Sequence, residues 1–496
     1  MSGTRPPHVL FVTVDQWPAR LLGIAGHPVV ETPTLDALAR SGTRFTNAYA
    51  ECPICIPARR SMMTGTSPRV HGDRDFQPAL TMPAHLPTLP RVLRDAGWQT
   101  SAIGKLHVYP PRDRIGFEEA LLCEEGRAHL GGPDDFELFL SDRGHPGAQF
   151  MHGMGNNEYS WRTWHLDEAL HATNWTTWAT ARSIKRRDPM RPGFWHVSYT
   201  HPHPPLVPLA SYLERYRART AEAPVHGDWA QDREGWPPAL RLAGEYWAAL
   251  PPDQLADARR AVYALCTHID HQLRIIIGTL REEEMLDDTV ILLCADHGDM
   301  IGDHGLYAKR LMYEGSANVP MILLGRAGCR RVGTGAVDDR LVGLQDVMPT
   351  LLDLCGVPVP GTCEGIPMVG ARRRETFYGE SLSGAKATRM IHDGRHKLVW
   401  YPVGNVIQLF DLQEDPRELR DLARDPSWAE LRRRLEAAMA AELYGGDERW
   451  AEGGRLVGEP DDDNTRPGPN RGLSGQRGYH QPWPRLTDPS RAVGSA

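Results

Sequence analysis

The chain has 496 residues, more than a single hydrophobic core usually holds, so a large domain with a smaller one is the expected organisation. Its hydrophobic fraction of 41% and its 14 Trp are typical of a globular protein with ample core material. The formal net charge is −7, from 56 basic and 63 acidic side chains with no long basic run. This balance argues against binding to nucleic acid or to an anionic membrane surface.

The N-terminus, MSGTRPPHVLFVTVDQ, carries only a short apolar run, which ends at Asp15. It lacks the apolar region and small-residue cleavage site of a signal peptide. No later segment approaches the run of about 18 apolar residues that a membrane span needs. The eight Cys are scattered along the chain, which is typical of reduced, buried thiols. We therefore expect a cytoplasmic protein.

Five short apolar runs that end in polar residues are predicted to be buried strands: HVLFVTVDQ (8–16), QTSAIGK (99–105), FWHVSYTH (194–201), TVILLCADHGD (289–299) and VPMILLG (319–325). Helical patterns separate them, over residues 32–42, 88–97, 172–187, 257–285 and 344–356. Continuous rather than alternating hydrophobic residues in the strands indicate an α/β sheet covered by helices on both faces. This large domain is predicted to span residues 1–370.

The pattern changes after about residue 370. Four short strands at hairpin spacing lie within 376–412, and one helical pattern, WAELRRRLEAAMAAEL, follows them. They predict a small α+β domain with an antiparallel sheet over residues 371–445. The tail, 446–496, is rich in Gly, Pro, Asp and Arg, so it is predicted to be irregular and to pack on the surface or at a subunit interface.

Titratable residues recur at the carboxyl ends of the predicted strands, where doubly wound sheets bind their ligands. They are Asp15 with Gln16, Lys105 with His107, His201 with His203, and Asp296 with His297. Each alone has an ordinary explanation as a helix cap, a solvated loop or a proline-rich turn. Together, two carboxylates, an imidazole and an amide carbonyl suit a divalent cation. The cations of Arg59, Lys105 and Lys309 suit a tetrahedral anion, and His107 and His201 suit an acid and a base.

The segment ECPICIPARRSMMTG (51–65) holds two Cys three positions apart, Cys52 and Cys55. A redox pair of the thioredoxin type should open a helix after the first strands of a small domain, and a zinc site needs a second ligand pair at suitable spacing. Neither condition is met, so Cys52 is predicted to be structural. Cys55 is different, because Pro57 and Arg59 follow it in the pattern C-x-P-x-R.

Residues 55–59 with Thr64 and Gly65 resemble the signature of type I sulfatases, in the alkaline phosphatase superfamily. GKLH (104–107), DHGDMIGDHGLYAKRLMYEGSANVP (296–320) and the HKLVWYP to QLFDLQEDPRELRDLA region resemble further segments of that family in the same order. The resemblance covers roughly residues 8–425. It implies an alkaline-phosphatase-like fold, with a large, mixed, mostly parallel sheet flanked by helices on both faces and a small C-terminal α+β domain.

In this family the signature cysteine is converted after translation to formylglycine, so the resemblance implies that a formylglycine-generating enzyme acts on Cys55. One hydroxyl of the hydrated aldehyde attacks sulfur, and the other collapses back to the aldehyde, which expels sulfate. The resemblance assigns the cation to Asp15, Gln16, Asp296, His297 and the modified Cys55. It further implies that Arg59 steadies the formylglycine, Lys105 and Lys309 bind sulfate oxygens, His201 protonates the leaving alcohol and His107 assists the elimination.

The sequence departs from many sulfatases in two places. The metal set of Asp, Gln, Asp and His replaces three Asp and one Asn, and its nitrogen donor makes Mn²⁺ plausible beside Ca²⁺. The same set resembles that of choline sulfatases and phosphonate monoester hydrolases. In HGDRDF (71–76), Asp or Arg stands where many relatives carry an Asn, so that sulfate contact is not predicted.

Hydrolysis of a small-molecule sulfate ester is the leading prediction. The alternative is a phosphodiesterase or phosphonate monoesterase with the same formylglycine; a catalytically silent metal-binding module is disfavoured because every expected catalytic position is filled. Residues 108–180 are expected to select the substrate. Their four Trp and two His within YSWRTWHLDEALHATNWTTW suit a quaternary ammonium or a sugar, or else a core or subunit interface. We also expect a homo-oligomer.

Overall fold

Short strands and helices alternate along the chain, whose computed structural model describes residues 5–125, 134–155, 157–246 and 250–462. The strands of these residues are β1 (His8–Asp15), β2 (Thr43–Phe45), β3 (Ala48–Tyr49), β4 (Gln99–Gly104), β5 (Glu119–Leu122), β6 (Gly193–Pro202), β7 (Thr289–Ala295), β8 (Met321–Leu324), β9 (Ala336–Asp338), β10 (Val342–Gly343), β11 (Phe377–Ser381), β12 (Thr388–His392), β13 (His396–Tyr401), β14 (Val406–Asp411), β15 (Ala451–Glu452) and β16 (Arg455–Leu456).

The α-helices of the same residues are α1 (Pro33–Ser41), α2 (Cys55–Thr64), α3 (Pro68–His71), α4 (Leu89–Asp95), α5 (Asp135–Asp142), α6 (Ala172–Lys185), α7 (Ala210–Arg217), α8 (Pro238–Tyr246), α9 (Pro252–Glu282), α10 (Glu314–Ala317), α11 (Val347–Leu354) and α12 (Ala429–Glu442). The longest, α9, packs against α6, α7 and β6. Among the described helices, none combines the length and the apolar composition that crossing a membrane requires.

The main sheet has, within the described residues, eight strands in the order β5-β4-β6-β1-β7-β8-β2-β9. Strand β8 runs antiparallel to both of its neighbours, whereas every other adjacent pair is parallel. All residues of the central strands β1, β6 and β7 are buried, because helices cover the sheet on both faces. The predicted mixed, mostly parallel α/β fold is confirmed.

A separate antiparallel sheet has the order β11-β12-β13-β14. Side chains of alternate residues point to opposite faces of this sheet, as the two-residue period of a strand requires. Ile391 and Leu398 pack in one cluster with Leu435 of α12, whereas Met390 and Val399 pack in a second cluster against the larger part of the protein. The predicted small antiparallel sheet is confirmed.

The domain boundaries at residues 370 and 445 stay a prediction. Of the predicted irregular tail, residues 463–496 lie outside the described residues. Its described beginning contains the short antiparallel hairpin of β15 and β16.

Candidate active site

The carboxyl ends of β1, β4, β6 and β7 meet at one edge of the main sheet, because these strands are parallel neighbours. The structure therefore gathers the polar pairs that the sequence places after each strand. All eight residues are buried: Asp15, Gln16, Lys105, His107, His201, His203, Asp296 and His297.

Cys55 begins helix α2 and faces the polar ends of β1 and β7. Its Sγ lies 3.1 Å from Nε2 of His297 and 3.9 Å from Oδ1 of Asp15. Burial and Asp15 raise the pKa of the Cys55 thiol, but Lys309, His297 and Lys105 lower it more, so the pKa lies below its ordinary value. A helix N-terminus also favours negative charge at this position.

Four side chains form a cluster of metal-ligating type, which we call the donor cluster: Asp15, Cys55, Asp296 and His297. Each offers one ligand atom, all of these atoms lie within 4.8 Å of one another, and all four residues are buried. Burial lowers the pKa of His297, but Asp296 and Cys55 together outweigh burial and raise that pKa above its ordinary value. Two buried carboxylates, a nitrogen and a fourth side chain at this spacing fit one divalent cation.

Arg59 holds the two carboxylates of the donor cluster in place. It lies one helical turn after Cys55, so both side chains project from the same face of α2. Its Nη2 is 3.1 Å from Oδ2 of Asp15, and its Nε is 3.0 Å from Oδ2 of Asp296. Its Nη1 donates to the Lys105 carbonyl oxygen at 2.8 Å and to the Ser198 hydroxyl at 2.9 Å. The guanidinium is therefore surrounded by acceptors, as a buried charge requires.

Lys105 follows β4 and is completely buried. Its Nζ is 2.6 Å from Oδ2 of Asp15 and 3.1 Å from Oε1 of Glu125. Burial raises the pKa of Asp15, but Lys105 and the other nearby cations outweigh it and hold that pKa well below its ordinary value. Asp15 is thus ionised and available to a cation at neutral pH.

The segment after Lys105 turns sharply towards the site. The backbone N–H groups of Leu106 and His107 both donate to Oε1 of Glu124, at 2.8 and 2.9 Å. His107 has a φ of 57°, and its ring lies 6.0 Å from that of Phe76. Glu124 therefore holds the segment that carries Lys105 and His107. The role of His107 in the chemistry stays a prediction.

Gln16 and Lys309 contact each other at the edge of the site. Nζ of Lys309 donates to Oε1 of Gln16 at 2.7 Å, and the amide nitrogen of Gln16 donates to Oδ2 of Asp299 at 2.7 Å. The backbone N–H of Gln16 donates to Oδ1 of Asp296 at 3.1 Å. Gln16 thus stabilises the position of the Asp296 carboxylate. Its role as a metal ligand stays a prediction.

The two histidines after β6 have different surroundings. Nε2 of His203 lies 2.8 Å from Nζ of Lys309, and its Nδ1 lies 3.5 Å from Oε1 of Glu125. The ring of His201 instead lies 5.1 Å from that of His171. Burial lowers the pKa of His201 to about 4, and burial together with Lys309 lowers the pKa of His203 well below its ordinary value. Both rings are therefore neutral at pH 7.

A small cavity adjoins His201 and His203, and its walls include Phe136, Phe150 and Trp164. The aromatic residues that are predicted to select the substrate do not share one environment. Trp175 packs in a buried apolar cluster with Phe136, whereas Trp178 is 64% exposed. The core interpretation thus describes Trp175, whereas the selection of substrate by this segment stays a prediction.

Four polar residues of the site have no assigned role in the sequence analysis: Glu124, Glu125, Tyr159 and Asp299. Glu124 and Glu125 lie just beyond β5, a strand that the apolar runs of the sequence do not predict, so their position at this end of the sheet carried no signal. Asp299 belongs to the DHGD segment, whose crowding of acids was visible. Tyr159 comes from an irregular segment and carries no such signal.

Comparisons with known proteins agree with this geometry. A family model described as Sulfatase matches residues 7–357, and one described as N-sulphoglucosamine sulphohydrolase, C-terminal, matches 302–443. An arylsulfatase of Clostridium perfringens (strain 13 / Type A) is 32% identical, over 91% of this chain and 97% of that protein. A choline-sulfatase of Rhizobium meliloti (strain 1021) is 31% identical, over 85% and 83%. The solved phosphonate monoester hydrolase of Agrobacterium radiobacter shares the fold, with a TM-score of 0.73 and 24% identity over 86% and 93%.

Proposed function

The chain belongs to the sulfatase family and is a sulfuric ester hydrolase, and from this premise we propose that it cleaves a small-molecule sulfate ester with a formylglycine made from Cys55. The observation that carries the proposal is the position of Cys55 on the first turn of α2, with its sulfur 3.1 Å from His297 and two buried carboxylates alongside. The hydrated aldehyde supplies a nucleophilic oxygen for attack on sulfur and a second hydroxyl, whose collapse to the aldehyde frees sulfate.

We propose that the donor cluster holds one divalent cation, with an oxygen of the modified Cys55 in place of its sulfur. Oxygen ligands suit Ca²⁺, and the imidazole of His297 makes Mn²⁺ an alternative. A bound cation supplies Lewis-acid stabilisation of negative charge on the reacting oxygens. Gln16 is proposed as a further ligand through one lone pair of its amide oxygen, while the other accepts from Lys309. Arg59 keeps the carboxylates in position when the ester enters.

Lys105 and Lys309 are proposed to bind the sulfate oxygens. Each ammonium group has a different neighbour beside the donor cluster. That of Lys105 contacts Glu125, and that of Lys309 contacts His203. Both lysines are buried, so their charges act in a site from which water is largely excluded, where they stabilise a developing negative charge more strongly than in water.

We place the proton for the leaving alcohol on the Lys309–His203 pair rather than on His201. The 2.8 Å contact lets a proton of Lys309 reach Nε2 of His203, and the pair then protonates the departing oxygen. The ring of His201 packs against that of His171 instead of contacting Lys309, which makes it the weaker candidate. His107 keeps the role implied by the family resemblance, that of accepting a proton in the final elimination.

The relatives favour a sulfate ester over a phosphonate. Those named arylsulfatase and choline-sulfatase are 32% and 31% identical to this chain, whereas the likeness to phosphonate monoester hydrolases, at 24% and 23%, shows the fold alone. Side-by-side kinetics on an aryl sulfate and an aryl phosphonate monoester test the choice. A higher kcat/KM for the phosphonate would reverse it.

Mass spectrometry of the peptide that contains Cys52 and Cys55 tests the nucleophile. Conversion of a cysteine to formylglycine lowers the peptide mass by about 18 Da. Fragment ions should assign this loss to Cys55, while Cys52 remains a thiol. An active enzyme with an unmodified Cys55 would contradict the proposal.

A further inference from the structure

Behind the site lies a hydrogen-bonded network that joins Gln16, Tyr159, Asp299 and Lys309. The amide nitrogen of Gln16 donates to Oδ2 of Asp299 at 2.7 Å and to the Tyr159 hydroxyl at 3.2 Å. The Tyr159 hydroxyl donates to Asp299 at 2.8 Å. On its other side, the amide oxygen of Gln16 accepts from Nζ of Lys309 at 2.7 Å.

These partners determine which way the Gln16 amide points. A carboxylate only accepts hydrogen bonds and an ammonium only donates them, so Asp299 selects the NH₂ end of the amide and Lys309 selects its oxygen end. Asp299 and Lys309 therefore require the same orientation of the Gln16 amide. The orientation of Gln16 therefore follows from the chemistry of its neighbours and does not depend on the similar shapes of the two ends.

Asp299 is itself held rigidly. It is 2% exposed, and its Oδ1 also accepts from the backbone N–H groups of Ile301 at 2.9 Å and Ala308 at 3.0 Å. Among the described residues, no cation forms an ion pair with Asp299. Its charge is thus stabilised by neutral donors, and Gln16 is the donor that connects it to the site.

We propose that Asp299 and Tyr159 are positioning residues, which hold the Gln16 oxygen towards Lys309 and so fix the Lys309 ammonium for an oxygen of the substrate sulfate. This inference rests on the proposed function of Lys309. The Tyr159 hydroxyl accepts from Gln16 and donates to Asp299, while its ring packs in the main hydrophobic core.

The decisive variant is Asp299→Asn, which keeps the shape but adds a donor. If its NH₂ faces Gln16, the Gln16 amide must turn over and present its own NH₂ to Lys309; if it faces the other way, it meets the N–H groups of Ile301 and Ala308. We expect the affinity for inorganic sulfate, measured by calorimetry, and kcat/KM for an aryl sulfate each to fall about 10- to 100-fold, the usual effect of losing such a partner. Tyr159→Phe should cost less, and Tyr307→Phe, whose ring lies 5.4 Å from that of Tyr159, should cost nothing.

A double-mutant cycle separates positioning from a general structural effect. Because Asp299 acts through Gln16, Asp299→Asn should change sulfate affinity less than about threefold when introduced into Gln16→Ala. Equal losses in both backgrounds would overturn the proposal. If Asp299→Asn does not fold, the same cycle with Tyr159→Phe decides. Wild-type protein that neither binds nor hydrolyses sulfate compounds would instead refute the proposed function, a separate outcome that the calorimetry reveals before any variant is made.

Discussion

Replacing His203 with Ala should slow the hydrolysis of sulfate esters with poor leaving alcohols far more than that of esters with activated phenols. In the structure, Nε2 of His203 is 2.8 Å from Nζ of Lys309, and in the proposed mechanism this pair supplies the proton that the departing oxygen needs. An alkoxide carries nearly a full charge as it leaves, whereas a nitrophenolate disperses its charge and depends little on a proton donor.

The size of the effect follows from the contribution of a general acid. Proton transfer by a positioned side chain accelerates a reaction about 10²- to 10⁴-fold, which corresponds to about 3–5 kcal/mol of transition-state stabilisation. We expect the His203→Ala variant to lose a factor in this range on an alkyl sulfate. On nitrophenyl sulfate we expect a loss of less than about tenfold, because Lys309 still binds the sulfate oxygens.

The assay is a series of aryl sulfates of increasing phenol pKa, with one alkyl sulfate, from which log kcat/KM is plotted against the pKa of the leaving group. The slope should become steeper in His203→Ala. The matched control is His201→Ala, two residues earlier at the end of β6 and also buried, which should keep the wild-type slope. A steeper slope for His201→Ala, with His203→Ala unchanged, would show that the original assignment of the proton donor to His201 is right.

Three further changes have defined outcomes. Cys55→Ala should abolish turnover without unfolding the protein, whereas Cys52→Ala should remain active; the opposite result would refute the assignment of the nucleophile. His297→Asn should shift bound metal from Mn²⁺ towards Ca²⁺ in the protein after dialysis, and an unchanged content would mean that His297 is not a ligand. Burial lowers the pKa of His71 and His196 to about 3, so the unfolded state binds more protons below pH 6.5. The free energy of unfolding should therefore fall on acidification, by up to about 1.4 kcal/mol per pH unit for each histidine, and denaturant midpoints that are equal at pH 7 and pH 5 would contradict this.

The long apolar runs made much of the fold predictable. Strands β1, β4, β6, β7 and β8 lie where continuous hydrophobic runs predict them, and the four strands of the small sheet follow their hairpin spacing. The antiparallel direction of β8 has no signal of its own, because it depends on the path of the chain between β7 and β8. Helix α2 shows no amphipathic period, since all ten of its residues are buried.

The site was predictable where a rule of fold geometry applied and unpredictable where it depended on the exact path of a loop. The polar residues after four parallel strands do converge. His201 and His203, however, offer the same chemistry two residues apart, and only the turn after β6 decides which meets Lys309. The described hydrogen-bond partners of Arg59 are two carboxylates, a carbonyl and a hydroxyl, and its contact with the formylglycine stays a prediction. The cytoplasmic location and the homo-oligomer stay predictions.

The burial of Cys55 has a consequence for the life history of the protein. Its side chain is 3% exposed, on a helix whose residues are all buried. Another enzyme's catalytic centre cannot close around this thiol once α2 has packed, so the proposed oxidation of Cys55 to formylglycine would require access to the chain before that packing. The proposed conversion of Cys55 would then have to be faster than the packing of α2. Molecules that fold first would be stable and correctly shaped yet permanently inactive, and the specific activity of a preparation would record which process was faster in the cell that made it.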